Sequence, residues 1–228
     1  CYEYGESVPK DPKQAVQWWG RAVAKGNMFA QSRLAHAILC NYGCQNDREQ
    51  AYKLFREAAL QGERYAQYQM GEYYEGELQV DGNRLGYEPQ IAFQWFLKAA
   101  EQGCEWSQIE VARSYAAGRG VPENPARAVE WYRRVPKNDK IQFGYAQLAL
   151  GGCYEHGFGV EKSSEQALIA YTNAAQHGDE SAQYVLGEFY EAGKCVEQDY
   201  SQALYWYLKA VEHSPDMSIC RKIGEWCL

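Results

Sequence analysis

The sequence predicts an all-α protein, a right-handed α-solenoid of about six helix-turn-helix repeats. A helical phrase that begins with alanine occurs six times, and its first alanines lie 36, 41, 36, 39 and 36 residues apart. Large apolar residues follow each alanine by about three and four positions, and small residues follow by about seven and eight. This spacing makes one apolar stripe on a helix of about 3.6 residues per turn. The alanines are Ala15, Ala51, Ala92, Ala128, Ala167 and Ala203.

The second helix of each pair has its own signature, in which Ala-Gln is followed by a large apolar residue, glycine and then Tyr-Glu. Clear copies lie at residues 66–76, 146–157 and 182–193. Glycine is costly inside a helix, so we expect each of these glycines to lie where a neighbouring helix approaches closely. They are Gly71, Gly151 and Gly187.

Capping residues predict where several helices begin and end. Asp11 and Asn124 each precede a proline, which is the arrangement of an N-cap followed by proline at the first helical position. Ser163 and Gln166 have the spacing of a capping box. Helix C-termini favour a glycine in the left-handed region, and the glycines at such places are Gly26, Gly62, Gly103 and Gly178.

Two insertions interrupt the repeat. Residues 76–90 lengthen one connection by five residues, and residues 135–147 lengthen another by three. Pro136 and Asn138 are expected to end the preceding helix early, because proline cannot continue a helix. The chain is then expected to be one solenoid over 1–228, with units at 1–26, 27–62, 63–103, 104–142, 143–178 and 179–213 and a half unit at 214–228.

Residues 154–187 follow the pattern Y-E-x-G-x-G-V, then A-x-x-x-Y-x-x-A-A-x-x-G, then A-Q-x-x-L-G. In this pattern the chain resembles the Sel-one-like repeat family, an α-solenoid family related to the tetratricopeptide repeats. The resemblance extends over essentially all of the sequence. It weakens at residues 39–47, which lack the G-x-G-V loop, and at 135–147, which lack the A-A-x-x-G ending. It implies a bacterial-type scaffold, adaptor or inhibitor with no catalytic chemistry of its own.

The resemblance also implies a concave groove and the positions that line it, two and five residues on either side of an apolar anchor in one helix of each pair. Aromatic residues and glutamates dominate these positions. The resulting partner-binding candidates are Phe29, His36, Tyr65, Tyr68, Glu72, Glu75, Trp106, Arg113, Tyr145, Glu155, Tyr184, Glu188 and Glu191.

An aromatic, acidic groove predicts a protein or peptide partner with apolar and basic side chains, because Tyr and Trp bury large areas at low entropic cost. The alternative for any one aromatic residue is packing between neighbouring repeats. Two other functions also stay open. One is an immunity protein that inhibits a cognate toxic effector enzyme, and the other is an envelope protein that binds cell-wall glycan.

Composition excludes several classes of function. The net charge of -7 and pI of about 5.2 argue against a nucleic-acid binder, which needs a basic face. No apolar run approaches the roughly 20 residues that a membrane helix requires. No H-E-x-x-H, C-x-x-C, G-x-S-x-G or phosphate-binding loop occurs. We therefore expect no cofactor, no metal and no enzymatic activity.

The eight cysteines suggest bridges between repeats, because residues about one repeat apart lie on adjacent units. Cys44 follows Cys1 by 43 residues, and Cys195 follows Cys153 by 42. The hypothesis pairs Cys1 with Cys44 or Cys40, and Cys153 with Cys195, each bridge stabilising by about 2–4 kcal/mol. The alternative is buried thiols in small core positions. Bridges would place the protein in the periplasm or outside the cell, whereas free thiols would suit the cytoplasm.

Overall fold

The computed structural model describes residues 3, 9–76, 78–80, 83–85 and 87–212. These residues form eleven α-helices and one pair of short strands, so the predicted all-α repeat fold is confirmed. The helices are α1 (Pro12–Val23), α2 (Met28–Leu39), α3 (Arg48–Leu60), α4 (Arg64–Glu75), α5 (Pro89–Glu101), α6 (Glu105–Ala117), α7 (Pro125–Arg134), α8 (Lys140–His156), α9 (Ser164–Gln176), α10 (Glu180–Ala192) and α11 (Tyr200–Val211).

The chain divides into two compact units. The N-terminal unit comprises residues 1–114 and 118–122, and the C-terminal unit comprises residues 115–117 and 123–228. Consecutive helices pack against one another from α1 to α5 in the N-terminal unit and from α7 to α11 in the C-terminal unit. The six alanines that lead the repeated phrase are at most 4% exposed, so the apolar stripe is the buried face of the odd-numbered helices.

The predicted caps are present. A side-chain oxygen accepts a hydrogen bond from the backbone N–H three residues on, at 3.0 Å for Asp11, 3.1 Å for Asn124 and 3.2 Å for Ser163. The four predicted C-terminal glycines all have positive φ, as a left-handed residue requires. Their φ values are 76° at Gly26, 98° at Gly62, 81° at Gly103 and 92° at Gly178.

The first insertion contains a β-hairpin that was not predicted. Strand β1 (Leu78–Val80) pairs antiparallel with β2 (Asn83–Leu85), and Val80 lies opposite Asn83. The sequence Asp-Gly stands between the strands at 81–82. Asp-Gly is among the strongest short hairpin signals, so this feature could have been read from the sequence.

The second insertion shortens one helix and lengthens the next. Helix α7 ends at Arg134, as predicted from the proline that follows. Helix α8 has 17 residues, whereas the equivalent helices α2, α4, α6 and α10 have 12 or 13. The inserted residues therefore add about one turn at the start of α8.

A turn with two left-handed residues joins one helix pair to the next. Gly157 and Gly159 have φ values of 74° and 72°, and a Cβ on Gly159 would lie 2.3 Å from the backbone of Pro125. In the divergent segment at 39–47, Asn41 at φ 53° and Gly43 at φ 74° take the same two places. Asparagine tolerates this region better than most residues, so the turn is retained without the G-x-G-V sequence.

Candidate protein-binding surface

Four rings from three helices of the N-terminal unit form a chain of contacts, which we call the aromatic row. Ring centroids are 6.1 Å apart between His36 and Tyr65, 6.3 Å between Tyr65 and Tyr68, and 6.2 Å between Tyr68 and Trp106. His36 and Trp106 are exposed at the two ends, and both tyrosines are half-buried. The structure thus brings together four residues that the sequence predicted as partner-binding.

The row exists because α4 turns opposite faces to the core and to solvent. Tyr65 and Tyr68 are three residues apart and so lie on one face, whereas Ala66 and Met70 are 0% and 1% exposed. Tyr68 also lies 5.9 Å from the buried ring of Phe96. The sequence left two alternatives for each aromatic residue, partner binding and packing between repeats. Tyr68 is compatible with both, because it packs on the core and also borders solvent.

Close helix packing explains the glycines inside the helices. A Cβ added at any of the three would lie far inside van der Waals distance of a ring from the following helix. The pairs are Gly71 with Phe96 at 2.3 Å, Gly151 with Tyr171 at 2.4 Å, and Gly187 with Tyr207 at 2.3 Å. The expectation that these glycines mark close helix–helix approach is confirmed.

In the C-terminal unit, the ring over each glycine also carries a hydroxyl that reaches a glutamate. Tyr171 Oη donates to Glu155 Oε2 at 2.7 Å, and Tyr207 Oη donates to Glu191 Oε2 at 2.6 Å. Lys194 forms an ion pair with Glu155 as well. Two predicted partner-binding carboxylates, Glu155 and Glu191, therefore already have hydrogen-bond donors within the chain.

These contacts set the charge state of Glu155. Burial alone would raise the pKa of this carboxyl, but hydrogen bonds from Lys194 and Tyr171 outweigh burial, so the net effect is a lowered pKa. Conversely, burial raises the pKa of Tyr171, and its bond to the carboxylate raises it further. Glu155 is thus held in its ionised form.

The N-terminal unit has the same arrangement with one donor missing. Glu75 takes the place of Glu155, and Arg119 takes the place of Lys194, with its guanidinium 3.2 Å from Glu75 Oε1. The ring over Gly71 belongs to Phe96, which has no hydroxyl. Burial raises the pKa of Glu75, and the opposing attraction of Arg119 does not cancel that rise. Equivalent carboxyls therefore have opposite pKa shifts.

Glu75 belongs to a group of three glutamates and two arginines, which we call the acidic cluster. Glu110 lies 2.8 Å from Arg113 and 3.2 Å from Arg119. Glu72 is exposed and lies one helical turn from Tyr68 and from Glu75 on α4. Burial raises the pKa of Glu72, and repulsion from Glu110 and Glu75 adds to the rise.

Glu110 and Arg119 were not among the predicted residues. Glu110 lies one position before an apolar anchor, outside the groove pattern, and Arg119 lies in the turn after α6. The sequence does contain a signal for Arg119. Arg119 and Lys194 occupy matching positions in their repeats, and each follows a left-handed glycine.

A recess lies beside Glu72. Its volume is about 370 Å³, and it is lined by Leu39, Asn46, Arg48, Gln69, Glu72 and Tyr73. Burial raises the pKa of Tyr73 to about 12, so this wall is a neutral phenol at physiological pH. Glu72 thus lines an open recess, and its exposed side chain is accessible to a ligand.

The remaining predicted residues differ in exposure. Phe29 is 61% exposed on the first turn of α2, and Tyr145 is 39% exposed on α8. Glu188 is exposed on α10, whereas Tyr184 is half-buried with its ring 5.5 Å from that of Tyr207. The structure therefore places Tyr184 partly against the core of the C-terminal unit.

The predicted bridge between Cys153 and Cys195 is not formed, because both are free thiols in the structure. Cys153 is 7% exposed within α8, whereas Cys195 is exposed in the turn after α10. Cys40 and Cys44 are also free, and their proposed partner Cys1 lies outside the described residues. The predicted location outside a reducing cytoplasm, which depended on bridges, stays a prediction.

Over the described ranges, no group of three or more His, Cys, Asp or Glu side chains is arranged to hold a metal ion. None of the described helices is long and apolar enough to cross a membrane.

A series of helix pairs that turns aromatic rings to solvent defines a repeat protein of the interaction-scaffold type. The chain belongs to the Sel1 repeat family. Six Sel1 repeats match it, at residues 1–27, 29–63, 64–104, 107–134, 144–179 and 180–214.

Solved structures of similar proteins share the fold. One is c5321, a protective antigen of uropathogenic Escherichia coli, with 32% identity and a TM-score of 0.82 over 98% of this chain and 46% of that chain. Another is a Sel1 repeat protein from Oxalobacter formigenes, with 32% identity and a TM-score of 0.79 over 92% of this chain and 83% of that chain.

A curated relative is chitin synthase regulatory factor 3 of Schizosaccharomyces pombe. It is 29% identical over 177 residues, which is 74% of this chain and 18% of the regulator. The chain thus spans less than a fifth of the length of this relative and less than half that of c5321.

Proposed function

We propose that the protein acts by binding another protein through the aromatic row of the N-terminal unit, as an adaptor or scaffold and not as an enzyme. The observation that carries the proposal is the unbroken contact chain from His36 through Tyr65 and Tyr68 to Trp106. Rings that are already packed against one another lose little side-chain entropy when a partner covers them.

The neighbouring charges indicate the chemistry of the partner. Glu72 of the acidic cluster lies one helical turn after Tyr68, so the cluster adjoins the row on α4. Apolar side chains would cover the rings, and basic side chains would meet the carboxylates. We therefore propose a partner that presents both kinds of residue, with Phe29 as a further contact at the start of α2. Tyr145, Tyr184 and Glu188 of the C-terminal unit stay predicted contacts.

The relatives support an adaptor role. One of them is named as a regulatory factor of chitin synthase, and regulation of an enzyme is a role that a binding module can have. The fold supports this proposal but does not identify the partner, since one fold serves many functions.

The direct test compares two exposed tryptophans. Trp106 is 48% exposed in the aromatic row, and Trp18 is 54% exposed on α1 beside Arg21. The full chain would be immobilised as wild type, Trp106→Ala and Trp18→Ala, and proteins and glycans retained from an extract of the native organism would be identified by mass spectrometry. Circular dichroism would confirm that all three are equally helical.

We expect one protein to be retained by wild type and by Trp18→Ala, and to be lost with Trp106→Ala. Truncating an aromatic anchor that the partner buries costs about 2 kcal/mol or more, which weakens affinity by roughly thirtyfold. A partner retained equally by all three would contradict the proposal. Retention of a toxic enzyme in equimolar amount would favour the immunity function, and retention of glycan alone would favour envelope binding.

A further inference from the structure

One exchange within the repeat distinguishes the N-terminal unit. At the ring position over the helix glycine, the C-terminal unit has Tyr171 and Tyr207, and both donate to a glutamate four residues beyond that glycine. Phe96 takes this position in the N-terminal unit, and the matching glutamate is Glu75. Glu75 therefore lacks the donor that its counterparts Glu155 and Glu191 have.

The acidic cluster also contains more carboxylates than guanidinium groups. Three carboxylates meet two guanidinium groups, since Arg119 contacts Glu75 and Glu110 while Arg113 contacts Glu110. Within the part of the chain that the structure describes, no lysine or arginine forms an ion pair with Glu72. The five side chains that define the cluster therefore carry one more negative than positive charge.

Resting on the proposed function, we propose that Phe96 creates a subsite for one arginine side chain of the partner. The guanidinium would bind Glu72 and Glu75, and its alkyl stem would lie along Tyr68 and Trp106. The C-terminal unit has no such subsite.

Arginine suits this place for two reasons. Its planar guanidinium forms paired hydrogen bonds with carboxylates, and it stacks on aromatic faces. Both features are present together here, because Glu72 lies one helical turn after Tyr68, whose ring is 6.2 Å from that of Trp106. The partly buried carboxyls of Glu72 and Glu75 also have raised pKa values, so an added cation would relieve repulsion that already exists.

In the C-terminal unit, both glutamates that match Glu75 accept a hydrogen bond from a tyrosine. Glu155 is engaged by Tyr171 and Lys194, and Gly152 and Val185 occupy the positions that match Glu72 and Glu110. Glu188 of α10 also matches Glu72, but the neighbouring Glu191 is engaged by Tyr207. The difference between the units is thus visible in the residues themselves.

The test uses a synthetic peptide of alternating arginine and leucine, and a twin in which every arginine is replaced by citrulline, its uncharged isostere. The ¹⁵N-labelled full chain would be titrated with each, as wild type, Phe96→Tyr and Tyr171→Phe, while amide NMR shifts are followed. Neither substitution changes the net charge, so general attraction of a basic peptide to an acidic protein stays constant.

We expect the arginine peptide to shift the amides around Glu72, Glu75 and Trp106, and to bind wild type about tenfold more tightly than the citrulline twin. Phe96→Tyr should weaken the arginine peptide by about fivefold, because its hydroxyl engages Glu75, and should leave the citrulline twin unchanged. Tyr171→Phe should leave both affinities unchanged.

Equal affinity for the two peptides, or an unchanged arginine affinity in Phe96→Tyr, would overturn the arginine subsite. If both peptides then shifted amide signals along the aromatic row, the row would still be supported as the binding surface. Arginine-specific shifts confined to the C-terminal unit would also overturn the subsite. The proposed function itself is tested separately, by the capture experiment with the Trp106→Ala variant.

Discussion

Tyr171 Oη donates a hydrogen bond of 2.7 Å to Glu155 Oε2 while its ring covers Gly151 so closely that a Cβ there would lie 2.4 Å away. One side chain therefore holds two helices together by packing and also fixes the charge of a carboxylate at the end of α8. In the N-terminal unit Phe96 retains the packing and omits the hydrogen bond. Glu75 therefore keeps its contact with Arg119 and lacks the tyrosine donor that Glu155 has.

Tyr171→Phe should destabilise the protein at neutral pH. The loss removes a hydrogen bond to a charged group from a side chain that is 4% exposed, so we expect a cost on the order of 1–2 kcal/mol in the free energy of unfolding. Urea denaturation followed by circular dichroism measures it, and an unchanged midpoint at pH 7 would contradict the prediction.

The loss of stability in Tyr171→Phe should depend on pH. Because the pKa of Glu155 is lowered in the folded chain, its contribution is present above the ordinary value of 4.5 and is lost as the pH falls through the lower folded pKa. The difference in stability between wild type and Tyr171→Phe should therefore shrink as the pH falls below 4.5. A difference that stays constant from pH 7 down to pH 3 would show that the hydrogen bond does not favour the ionised carboxylate.

Adjacent glycines in α8 should respond oppositely to alanine. Gly151→Ala places a Cβ against the Tyr171 ring and should cost about 2–3 kcal/mol through overpacking. At Gly152 the nearest atom would be the Tyr171 hydroxyl at 3.9 Å, so Gly152→Ala should stabilise by about 0.5–1 kcal/mol through helix propensity. Thermal melts of the two variants compare them directly, and equal melting temperatures would refute the packing account.

Glu72→Gln should stabilise the folded chain at neutral pH. The folded pKa of Glu72 is raised, so ionisation disfavours the folded state as the pH rises above the ordinary value of 4.5. The gain over wild type should be present at pH 7 and should vanish below pH 4.5, where both side chains are neutral. Denaturation at the two pH values checks this, and Glu188→Gln, an exposed glutamate of α10, is the control.

Cys195→Gly should also stabilise. Cys195 has φ 58° at the place that matches Gly159, and a non-glycine residue in this region costs about 1 kcal/mol. Cys195→Ala keeps the Cβ and should give no such gain, which separates backbone strain from loss of the thiol. A melting temperature that rises equally in both variants would point to the thiol instead.

The sequence was sufficient for most of the repeat architecture because its signals are local. N-caps such as Asp11 and glycines such as Gly151 act over a few residues, and the apolar stripe that each leading alanine begins lies within one helix. All three signals can therefore be recognised in a single sequence. The hairpin at β1 and β2 was missed although its Asp-Gly signal was present.

The candidate site was less accessible to prediction because it depends on pairs far apart in the chain. Glu155 and Glu191 have the same spacing from their helix glycine as Glu75, yet only contact with Tyr171, Tyr207 or Phe96 shows which carboxylate is engaged. Arg119 lies 44 residues from Glu75 in sequence and reaches it across a turn. The predicted cysteine bridge failed for the same reason, since register alone does not place two sulfurs in contact.

The aromatic row as a protein-binding surface is tested most directly by photo-crosslinking from within it. A benzophenone amino acid would be placed at position 106 or, as control, at position 18, and the full chain would be irradiated in an extract of the native organism. A single protein crosslinked from position 106 and not from position 18 is the result expected. Crosslinks of the partner from position 18 alone, or equally from both positions, would contradict the assignment of the row.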